Sequence, residues 1–483
     1  MQERTRHTDA LTLAAGKGTA QLPHRGVIAL GQAADETIQC SFFAGRFHLF
    51  PGGIPLCNAD VVLDGIVEQF RLLRHKALLS PQRGGIHAAD ISPAKADAAA
   101  LGEDAVINAT LGECLDDDGK LMVLPTVERM IRQMPVEDIC SYAPIAGIKG
   151  FNEAVQISLF GKCLDRFYVE SVATPGGCGA LRHAIWNFLN FGDALLTTNW
   201  IWGPYKNICE EHGRRMVTFD MFNRENTFNL EGMDRAIGEI LAVQEQLLMI
   251  LNTPANNPTG YSMTKQEMEQ TVAILKKHAA ANPDKNLTFC LDVSYIDFAG
   301  SFEESREIFD AIFDMPANTM TLLIFSMSKS YTMCGMRCGA LVCLGSTAES
   351  AAVFKQAMSY SSRSTWSNAI HMAQKILVDI NLNPEIRERV SQERAVFRNT
   401  ITNRGRTFCA AAKEASLEIC PYQYGYFVAI PCKNPVETAR ILMDQHIYVV
   451  PQAQGLRFSP CTVTTEKCRK APAFIKAAME QTQ

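Results

Sequence analysis

Lys329 stands in the segment FSMSKSYTMCGMRCGALV, residues 325–342, among side chains that suit a reactive amine beside an anion site. A lysine amine is solvated and protonated unless burial or a neighbouring positive charge favours its neutral form, which condenses with a carbonyl as a Schiff base. Arg337 supplies such a charge, and Ser326 supplies a hydroxyl donor. A lone serine–lysine pair after a strand would predict only a surface lysine. The flanking residues favour a chemical role.

The pattern S-x-S-K followed by G-x-R-x-G resembles the cofactor segment of class I aminotransferases, the aspartate aminotransferase family. The resemblance implies that Lys329 holds pyridoxal 5′-phosphate as a Schiff base and that Ser326 and Arg337 bind the cofactor's phosphate. It also implies the α/β fold type I architecture. In that fold a large domain carries a mostly parallel sheet of seven strands between helices, beside a smaller α+β domain.

Composition narrows the class of protein independently of this resemblance. The 483 residues, 47% hydrophobic and 20% charged, suffice for one or two large cores. The net charge of −5 carries no basic excess, so we expect no nucleic-acid partner. We also expect no membrane association, because no apolar run approaches the roughly 18 residues that a spanning helix needs. The sixteen cysteines lack C-x-x-C spacing, which favours reduced thiols in a cytoplasmic protein.

Residues 1–86 do not share the pattern of the rest of the chain. Apolar residues at helical spacing predict one amphipathic helix from about Asp60 to Leu79. Its apolar face would pack on the catalytic body or on a second subunit, and a partner-binding or membrane-lying helix is the alternative. Acidic residues such as Glu3 and Asp9 do not suit an organelle-targeting arm. We assign this extension no chemical role.

From about residue 87 onwards, apolar runs alternate with helical segments, which predicts a mostly parallel sheet covered on both faces. The predicted strands are 168–173, 194–198, 247–251, 287–291 and 321–325. Ligands of such sheets bind at the carboxyl ends of the strands. We predict four segments: the extension 1–86, one part of a small domain at 87–124, a large cofactor-binding domain at 125–395, and the other part of the small domain at 396–483.

The sequence TPGGCGAL at 174–181 joins a predicted strand to a predicted helix. Glycines there let backbone N–H groups approach an anion at the helix N-terminus, although a Gly-rich turn alone also fits a simple tight turn. The segment resembles the phosphate-binding turn of the family, which implies phosphate contacts from the amides of Gly177 and Cys178. The family usually has a hydroxyl residue where Cys178 stands.

Four further residues match positions that hold the cofactor ring in the family. Either tryptophan of NWIWGP could be a core residue, and the W-G-P spacing selects Trp202 as the one that stacks on the ring. Asn257 in N-P-T-G and Tyr295 in D-x-x-Y are implied donors to the cofactor's 3-oxygen. Asp292 ends a predicted strand, where an aspartate is usually a cap. It fits the carboxylate that keeps the ring nitrogen protonated.

Two arginines bear on the substrate. Arg457 follows two short strands, predicted as a pair around 426–430 and 447–450, and resembles the arginine that binds the substrate's α-carboxylate through a forked hydrogen bond. A surface arginine is the alternative. Arg363, in R-x-x-W-S-N, resembles the arginine that crosses the dimer interface to a side-chain carboxylate. This implies aspartate, glutamate and their 2-oxo acids, without excluding aromatic substrates.

Three positions concern the subunit contact and the substrate loop. Tyr142 in Y-x-P-x-x-G resembles the tyrosine that reaches the neighbouring subunit's phosphate, so the resemblance implies a homodimer with shared active sites. Gly112 corresponds to a loop over the substrate, and Cys114 stands where the family often has a tyrosine. Tyr205 stands where the aspartate-specific branch has a histidine that supports the ring-binding aspartate.

The resemblance covers about residues 87–483, with eight segments in the family's order. It implies ping-pong transfer of an amino group between an L-amino acid, either aspartate/glutamate or aromatic, and a 2-oxo acid. It also implies that Lys329 is the general base and that Trp202 and Asn257 border the substrate as well as the cofactor. Another fold type I reaction, such as an amino-acid decarboxylation or β-elimination by a lyase, would use the same cofactor residues. A cofactor-binding regulator would need a DNA-binding module, and residues 1–84 show no basic patch.

Overall fold

The computed structural model describes residues 91–165, 167–313, 315–316 and 318–482. The helix predicted over Asp60 to Leu79, with the rest of the extension 1–86, lies outside the described residues. Among the helices that are described, none combines the length and the apolar character needed to cross a bilayer.

The strands of this region form one large sheet and two small ones. They are β1 (Ile107–Asn108), β2 (Tyr168–Thr174), β3 (Ala194–Thr198), β4 (Arg215–Phe219), β5 (Gln246–Asn252), β6 (Asn286–Asp292), β7 (Thr319–Ser326), β8 (Gly339–Gly345), β9 (Val428–Pro431), β10 (Ile447–Tyr448), β11 (Val450–Gln452) and β12 (Gly455–Phe458).

The helices alternate with the strands through most of the chain. They are α1 (Ile91–Leu101), α2 (Pro125–Arg132), α3 (Val136–Cys140), α4 (Phe151–Phe160), α5 (Gly176–Phe188), α6 (Pro204–Glu211), α7 (Leu230–Leu241), α8 (Lys265–Ala281), α9 (Phe302–Arg306), α10 (Phe309–Ile312), α11 (Met327–Ser330), α12 (Ala348–Thr365), α13 (His371–Asn381), α14 (Pro384–Glu414), α15 (Pro435–Met443) and α16 (Thr465–Glu480).

The large sheet has seven strands in the order β2-β8-β7-β6-β5-β3-β4. Its neighbours are parallel except at β8, which runs antiparallel to both β2 and β7. Along β5, Leu247 and Met249 pack with one set of helices, whereas Leu248 and Ile250 pack on the opposite face. Helices therefore cover both faces of the sheet, which confirms the predicted α/β architecture.

The two small sheets lie in the C-terminal part of the chain and include one segment from before the large sheet. β12 forms a hairpin with β11 and also pairs with β9, while β1 pairs in parallel with β10. The two strands predicted as a pair around 426–430 and 447–450 are present, but their pairing was wrong. The reason is local: a two-residue turn between β11 and β12 folds β12 back, so that β12 takes the edge of β9.

Helix α14 packs in the core of the large sheet and in the core around the small sheets. It begins at Asn383, whose side chain accepts two backbone N–H bonds and caps the helix, with Pro384 in the first turn. Val390, near its start, packs in the core of the large sheet, and Phe408, further along, packs in the core around the small sheets. The predicted domain boundary between residues 395 and 396 falls inside this helix.

A buried ion cluster joins α14 to the chain after β6. Asp297 Oδ1 lies 2.6 Å from Arg306 Nη2 and 3.2 Å from Arg394 Nη1 on α14, and all three side chains are almost fully buried. Burial raises the pKa of Asp297, but the guanidinium groups of Arg394 and Arg306 outweigh burial and hold that pKa below its ordinary value. The carboxylate is therefore ionised at neutral pH and balances two buried positive charges.

Candidate active site

The residues predicted to bind the cofactor come together at one edge of the large sheet. Asp292 ends β6, Asn257 lies in the loop after β5, and Lys329 follows β7. Because β8 runs in the opposite direction, Arg337 reaches the same edge by preceding it. The carboxyl ends of neighbouring parallel strands meet at this edge, which is where such folds bind ligands.

The Lys329 amine is enclosed by polar and aromatic groups. Its Nζ donates to the carbonyl oxygen of Gly112 at 2.5 Å, lies 3.5 Å from Cys334 Sγ, and lies 5.6 Å from the centre of the Tyr426 ring. Burial lowers the pKa of the amine, but Tyr295 and the surrounding thiols, Cys334 first among them, raise it above its ordinary value. The free amine is therefore protonated, and it must release that proton before it can condense with an aldehyde.

Asp292 presents a buried carboxylate whose hydrogen-bond donors, within the described part of the chain, are all neutral. Tyr205 donates its hydroxyl to Oδ2 at 2.6 Å, while Ser294 donates its hydroxyl and its backbone N–H to Oδ1 at 2.6 and 3.1 Å. Burial raises the pKa of Asp292, and the hydrogen bonds from Ser294 and Tyr205 act in the opposite direction. Tyr205 thus makes the supporting contact at the position where the aspartate-specific branch has a histidine.

Arg457 is anchored on β12 with part of its fork unused. Nη2 donates to the carbonyl oxygen of Thr110 at 2.8 Å, Nη1 donates to Asn257 Oδ1 at 3.5 Å, and the guanidinium lies 4.4 Å from the centre of the Phe427 ring. The buried Nε has no hydrogen-bond partner among the residues that the structure describes. Asn257 in turn donates to the hydroxyl of Tyr295 at 3.1 Å. Burial lowers the pKa of Arg457, a cost that a bound anion would offset.

Arg337 lies against the N-terminus of α5. Its Nη1 donates to the hydroxyl of Ser328 at 3.1 Å and to the carbonyl oxygen of Cys334 at 2.8 Å, and its Nη2 donates to the carbonyl oxygen of Pro175 at 3.4 Å. A Cβ at Gly176 would lie 2.6 Å from Nη2, so any other side chain would displace the guanidinium. The close approach of the arginine to this turn therefore requires glycine.

No side chain that the structure describes caps the N-terminus of α5 beside this guanidinium, and the first N–H groups of a helix have no partner within it. Gly177 lies close to two other strand ends, because a Cβ there would meet Ser294 Oγ at 3.2 Å and Ser326 Cβ at 3.5 Å. Burial raises the pKa of the Cys178 thiol, while Arg337 acts to lower it. The helix N-terminus and the guanidinium together form a site for an anion such as a phosphate.

The two tryptophans of the segment after β3 differ in their surroundings. Trp200 is only 7% exposed and packs in the core of the large sheet. Trp202 is half-buried, and its ring lies 6.4 Å from the ring of Tyr205 in an edge-on arrangement. Trp202 thus lies beside Tyr205, which binds the Asp292 carboxylate, and its stacking on the cofactor ring stays a prediction.

Two predicted site residues are not brought to Lys329 within this chain. Tyr142 is 88% exposed, and Arg363 is exposed at the end of α12, where Nη1 donates to Ser367 Oγ at 2.6 Å. No hydrogen bond or ion pair between residues that the structure describes joins either side chain to the Lys329 site.

Sequence reasoning did not single out several neighbours of the site. The sequence predicts Tyr426 and Phe427 only as residues of a strand. In the structure the Tyr426 ring lies against Lys329 Nζ and the Phe427 ring against the Arg457 guanidinium. A signal exists in the preceding Gly425, which has φ of 97° and lies so close to Ala255 that a Cβ would approach within 2.8 Å. A glycine in such a tight turn before two aromatic residues indicates a close approach of two loops.

These residues together fit pyridoxal phosphate. They offer an amine for its aldehyde, a buried carboxylate for its ring nitrogen, and two donors, on Asn257 and Tyr295, for its 3-oxygen. The glycine turn and Arg337 offer an anion site for its phosphate, and a side chain at Gly176 would fill this space. The unpaired Arg457 Nε leaves a donor for a second anion.

Comparison with known proteins agrees with this fit. Residues 104–475 match the family described as aminotransferase class I and II. The chain is 26% identical to the mitochondrial aspartate aminotransferase of Dictyostelium discoideum over 295 residues, which are 59% of this chain and 67% of that protein.

Solved structures are similar over most of the described region. An aminotransferase from Anaerococcus prevotii is 37% identical with a TM-score of 0.79, over 82% of this chain and 97% of that one. The aromatic-amino-acid aminotransferase of Burkholderia pseudomallei, solved covalently bound to pyridoxal phosphate, shares the fold at 21% identity with a TM-score of 0.66, over 83% of this chain and 99% of that one.

The chain belongs to the class I and II aminotransferase family and has the fold of type I pyridoxal-phosphate enzymes. Its cofactor is pyridoxal phosphate, and its substrates are amino acids and 2-oxo acids. It is a pyridoxal-phosphate-dependent transaminase. The predicted cofactor and activity are thus confirmed, and the comparisons give no support to the alternative of a decarboxylase or β-lyase.

Proposed function

We propose that this transaminase works by two half-reactions at one site, in which an L-amino acid leaves as a 2-oxo acid and a second 2-oxo acid leaves as an amino acid. The observation that carries this proposal is the enclosed Lys329 amine, 2.5 Å from the Gly112 carbonyl oxygen, at the sheet edge that also presents Asp292. An amine in this position can bind an aldehyde and, once displaced, act as a base.

The reacting groups of this chain divide the work between them. Pyridoxal phosphate, when bound, supplies a ring that accepts electrons as the amino acid's Cα loses its proton. Lys329 Nζ, beside the Gly112 carbonyl oxygen, would be the base that takes this proton and the acid that gives it back. Asp292 would hold the ring nitrogen of the bound cofactor in its protonated form, and Tyr205 and Ser294 hold the carboxylate in place.

The remaining cofactor contacts serve orientation. We assign the phosphate to the amides of Gly177 and Cys178, the hydroxyl of Ser326 and the guanidinium of Arg337, because a helix N-terminus and an arginine meet there. Asn257 and Tyr295 would donate to the 3-oxygen, and the Trp202 ring would cover one face of the cofactor ring and exclude water.

Arg457 is the candidate for the substrate's α-carboxylate. Its guanidinium is 6% exposed and stacked on Phe427, and its Nε is unpaired. A carboxylate bound there by two parallel hydrogen bonds would hold Cα beside Lys329. Gly112, with Trp202 and Asn257, would border the rest of the substrate.

We further propose a homodimer with shared active sites. Tyr142 and Arg363 would act from the second subunit, Tyr142 on the phosphate and Arg363 on the far end of a dicarboxylic substrate. Both are exposed here, and apolar side chains in the same segments are exposed as well: Val136 at 67%, Ile139 at 45%, Tyr360 at 78% and Ile370 at 41%. Ser141 Oγ and His371 Nδ1, 2.7 Å apart, connect two of these segments. A symmetric contact would bury this surface.

The predicted domains and location enter as proposals as well. Pairing of β1 with β10 supports one small domain made from residues 87–124 and 396–483, and α14 continues across its boundary with the large domain 125–395. Cytoplasmic location stays a prediction, because the Dictyostelium relative is a mitochondrial enzyme.

The test is the visible absorption of the purified protein with pyridoxal phosphate. Adding an accepted amino acid should bleach the band of the Lys329-bound cofactor, and adding a 2-oxo acid should restore it. Lys329→Ala should lack the band and lose turnover. Substantial turnover in that variant would contradict the assignment of Lys329. A band that forms but responds to no amino acid would contradict transamination.

A further inference from the structure

A cavity of about 130 Å³ shares part of its lining with the surroundings of the Lys329 amine. It lies between the lysine loop and the segment after Gly112, and we call it the side-chain cavity. Its lining includes Cys114, Cys334 and Tyr426. Two of these also flank the amine, since Nζ is 3.5 Å from Cys334 Sγ and 5.6 Å from the centre of the Tyr426 ring. The cavity and the amine thus share two neighbouring residues, so a group attached to a substrate Cα held near Nζ would lie within a few bonds of the cavity.

The lining is apolar and rich in sulfur. Besides the three residues above, it includes Met122, Val123, Ile131, Met333 and Met336. Burial raises the pKa of the Cys114 thiol to about 12, so this side chain is neutral at physiological pH. Methionine side chains are flexible and polarisable, and they make favourable contacts with aromatic rings. Such a lining suits an apolar or aromatic group.

The charge of the cavity disfavours a second carboxylate. Among the described residues that line it, Glu113 carries the only charged side chain, and that charge is negative. A dicarboxylic substrate in this cavity would place a desolvated carboxylate near another acid, with no cation in the lining to balance it. Aspartate and glutamate would depend on a cation from elsewhere, such as Arg363 of a second subunit.

The volume of the cavity, which is open on one side, matches a small side chain. An apolar cavity of roughly 150 Å³ in another protein stays dry and takes up benzene. A volume of about 130 Å³ is close to this and suits one six-membered ring or a thioether chain. Cys114 contributes to the space, because a tyrosine at this position, as in many family members, would be far larger.

We propose that the side-chain cavity selects amino acids with a single aromatic ring or an unbranched thioether side chain, such as phenylalanine and methionine. This inference rests on the proposed transamination at Lys329. It assigns specificity to cavity residues, Val123 among them, that have no part in binding the cofactor. Alanine, whose methyl group does not reach the cavity, is the reference substrate.

The experiment measures kcat/KM of the first half-reaction with the holoenzyme, from the loss of cofactor absorption with L-phenylalanine, L-tryptophan, L-methionine, L-aspartate and L-alanine. We expect phenylalanine and methionine to exceed alanine by roughly 10- to 100-fold, the range for burying an apolar side chain of this size. Val123→Phe fills the cavity and should lower the phenylalanine-to-alanine ratio at least about tenfold. Val123→Ala enlarges the cavity and should raise the ratio of tryptophan to phenylalanine.

Val217→Phe is the matched control. Val217 on the edge strand β4 is also half-buried and packs against the large core, but it is not a cavity residue. This control should leave the ratio at the wild-type value. Thermal melting and cofactor binding establish that each variant folds. If Val123→Phe does not fold, Val123→Ala serves as the test.

The outcomes distinguish a failure of the cavity proposal from a failure of the proposed function. Alanine or aspartate could react while phenylalanine has no advantage over alanine and neither Val123 variant changes the ratios of kcat/KM between substrates. In that case the cavity does not bind the substrate's side chain, and transamination stands. If no amino acid bleaches the cofactor band, the proposed function itself fails. Altered ratios in the Val123 variants, with unchanged ratios in Val217→Phe, support the proposal.

Discussion

Replacing Arg457 by lysine tests the substrate site most directly, since Arg457→Lys keeps the positive charge and removes the fork. In the structure, Nη2 is bound to the Thr110 carbonyl oxygen at 2.8 Å, the guanidinium lies 4.4 Å from the centre of the Phe427 ring, and Nε is unpaired. A lysine ammonium cannot make the same anchor, the same ring contact and two parallel bonds to a carboxylate at once.

The size of the effect follows from the bonds that are lost. A hydrogen bond to a charged group contributes about 1.5–3 kcal/mol, and the variant loses one of the two bonds to the α-carboxylate. Because about 1.36 kcal/mol corresponds to a factor of ten in rate, kcat/KM should fall by about 10- to 160-fold. The loss should be shared by all amino-acid substrates, since every one of them carries the α-carboxylate.

The assay is the first half-reaction with L-phenylalanine and with phenethylamine, which has the same side chain and no carboxylate. The difference between the wild-type enzyme and Arg457→Lys should vanish for the amine. Arg406→Lys, at an exposed arginine of α14, is the control and should react like the wild-type enzyme. An equal loss for phenylalanine and phenethylamine would refute the reasoning, because Arg457 would then act through the fold rather than through the carboxylate.

Three further changes have defined outcomes. Arg363→Ala should lower kcat/KM for aspartate by about 10- to 100-fold and spare phenylalanine, through a lost charge-assisted pair; equal losses would make Arg363 structural. Tyr205→Phe removes a hydrogen bond worth about 1.5–3 kcal/mol from the Asp292 carboxylate. The cofactor's dissociation constant, measured by fluorescence titration, should therefore rise about tenfold or more. Tyr205→His should restore the wild-type dissociation constant. An unchanged constant would contradict this role. Asp297→Asn leaves two buried arginines unbalanced and should lower the free energy of unfolding by about 3–5 kcal/mol in urea at pH 7.

The pH dependence of the Asp297 effect has a definite sign. Two arginines hold the pKa of this carboxylate below its ordinary value, so its stabilisation is present above the ordinary carboxyl pKa of roughly 3.9 and is lost as the pH falls through the lowered folded-state pKa. Wild-type protein and Asp297→Asn should therefore converge in stability in acid. Equal stability at pH 7 would contradict the role of the cluster.

The sequence alone predicted five of the seven strands of the large sheet and the residues at their ends, and it missed β4 and β8. Buried parallel strands appear as short apolar runs, and the polar residues that follow them lie at one edge of the sheet because the strands are parallel. Lys329, Asp292 and Asn257 could therefore be predicted to come together from their places after three such runs. The cofactor and the type of reaction followed from the resemblance of short segments to those of a known family, and such a resemblance is carried by the local order of residues.

Only the tertiary structure decided the contacts between segments far apart in sequence. Tyr205 and Asp292 meet at 2.6 Å across two strands, and Arg457 reaches Thr110 across most of the chain. The small-sheet pairing and the side-chain cavity likewise depend on which loops pack together. Periodicity and motifs report how a segment folds and which of its faces is buried. They do not report which distant segment covers that face, because the packing of the whole core decides which segments pair. The same packing shapes the space beside Lys329.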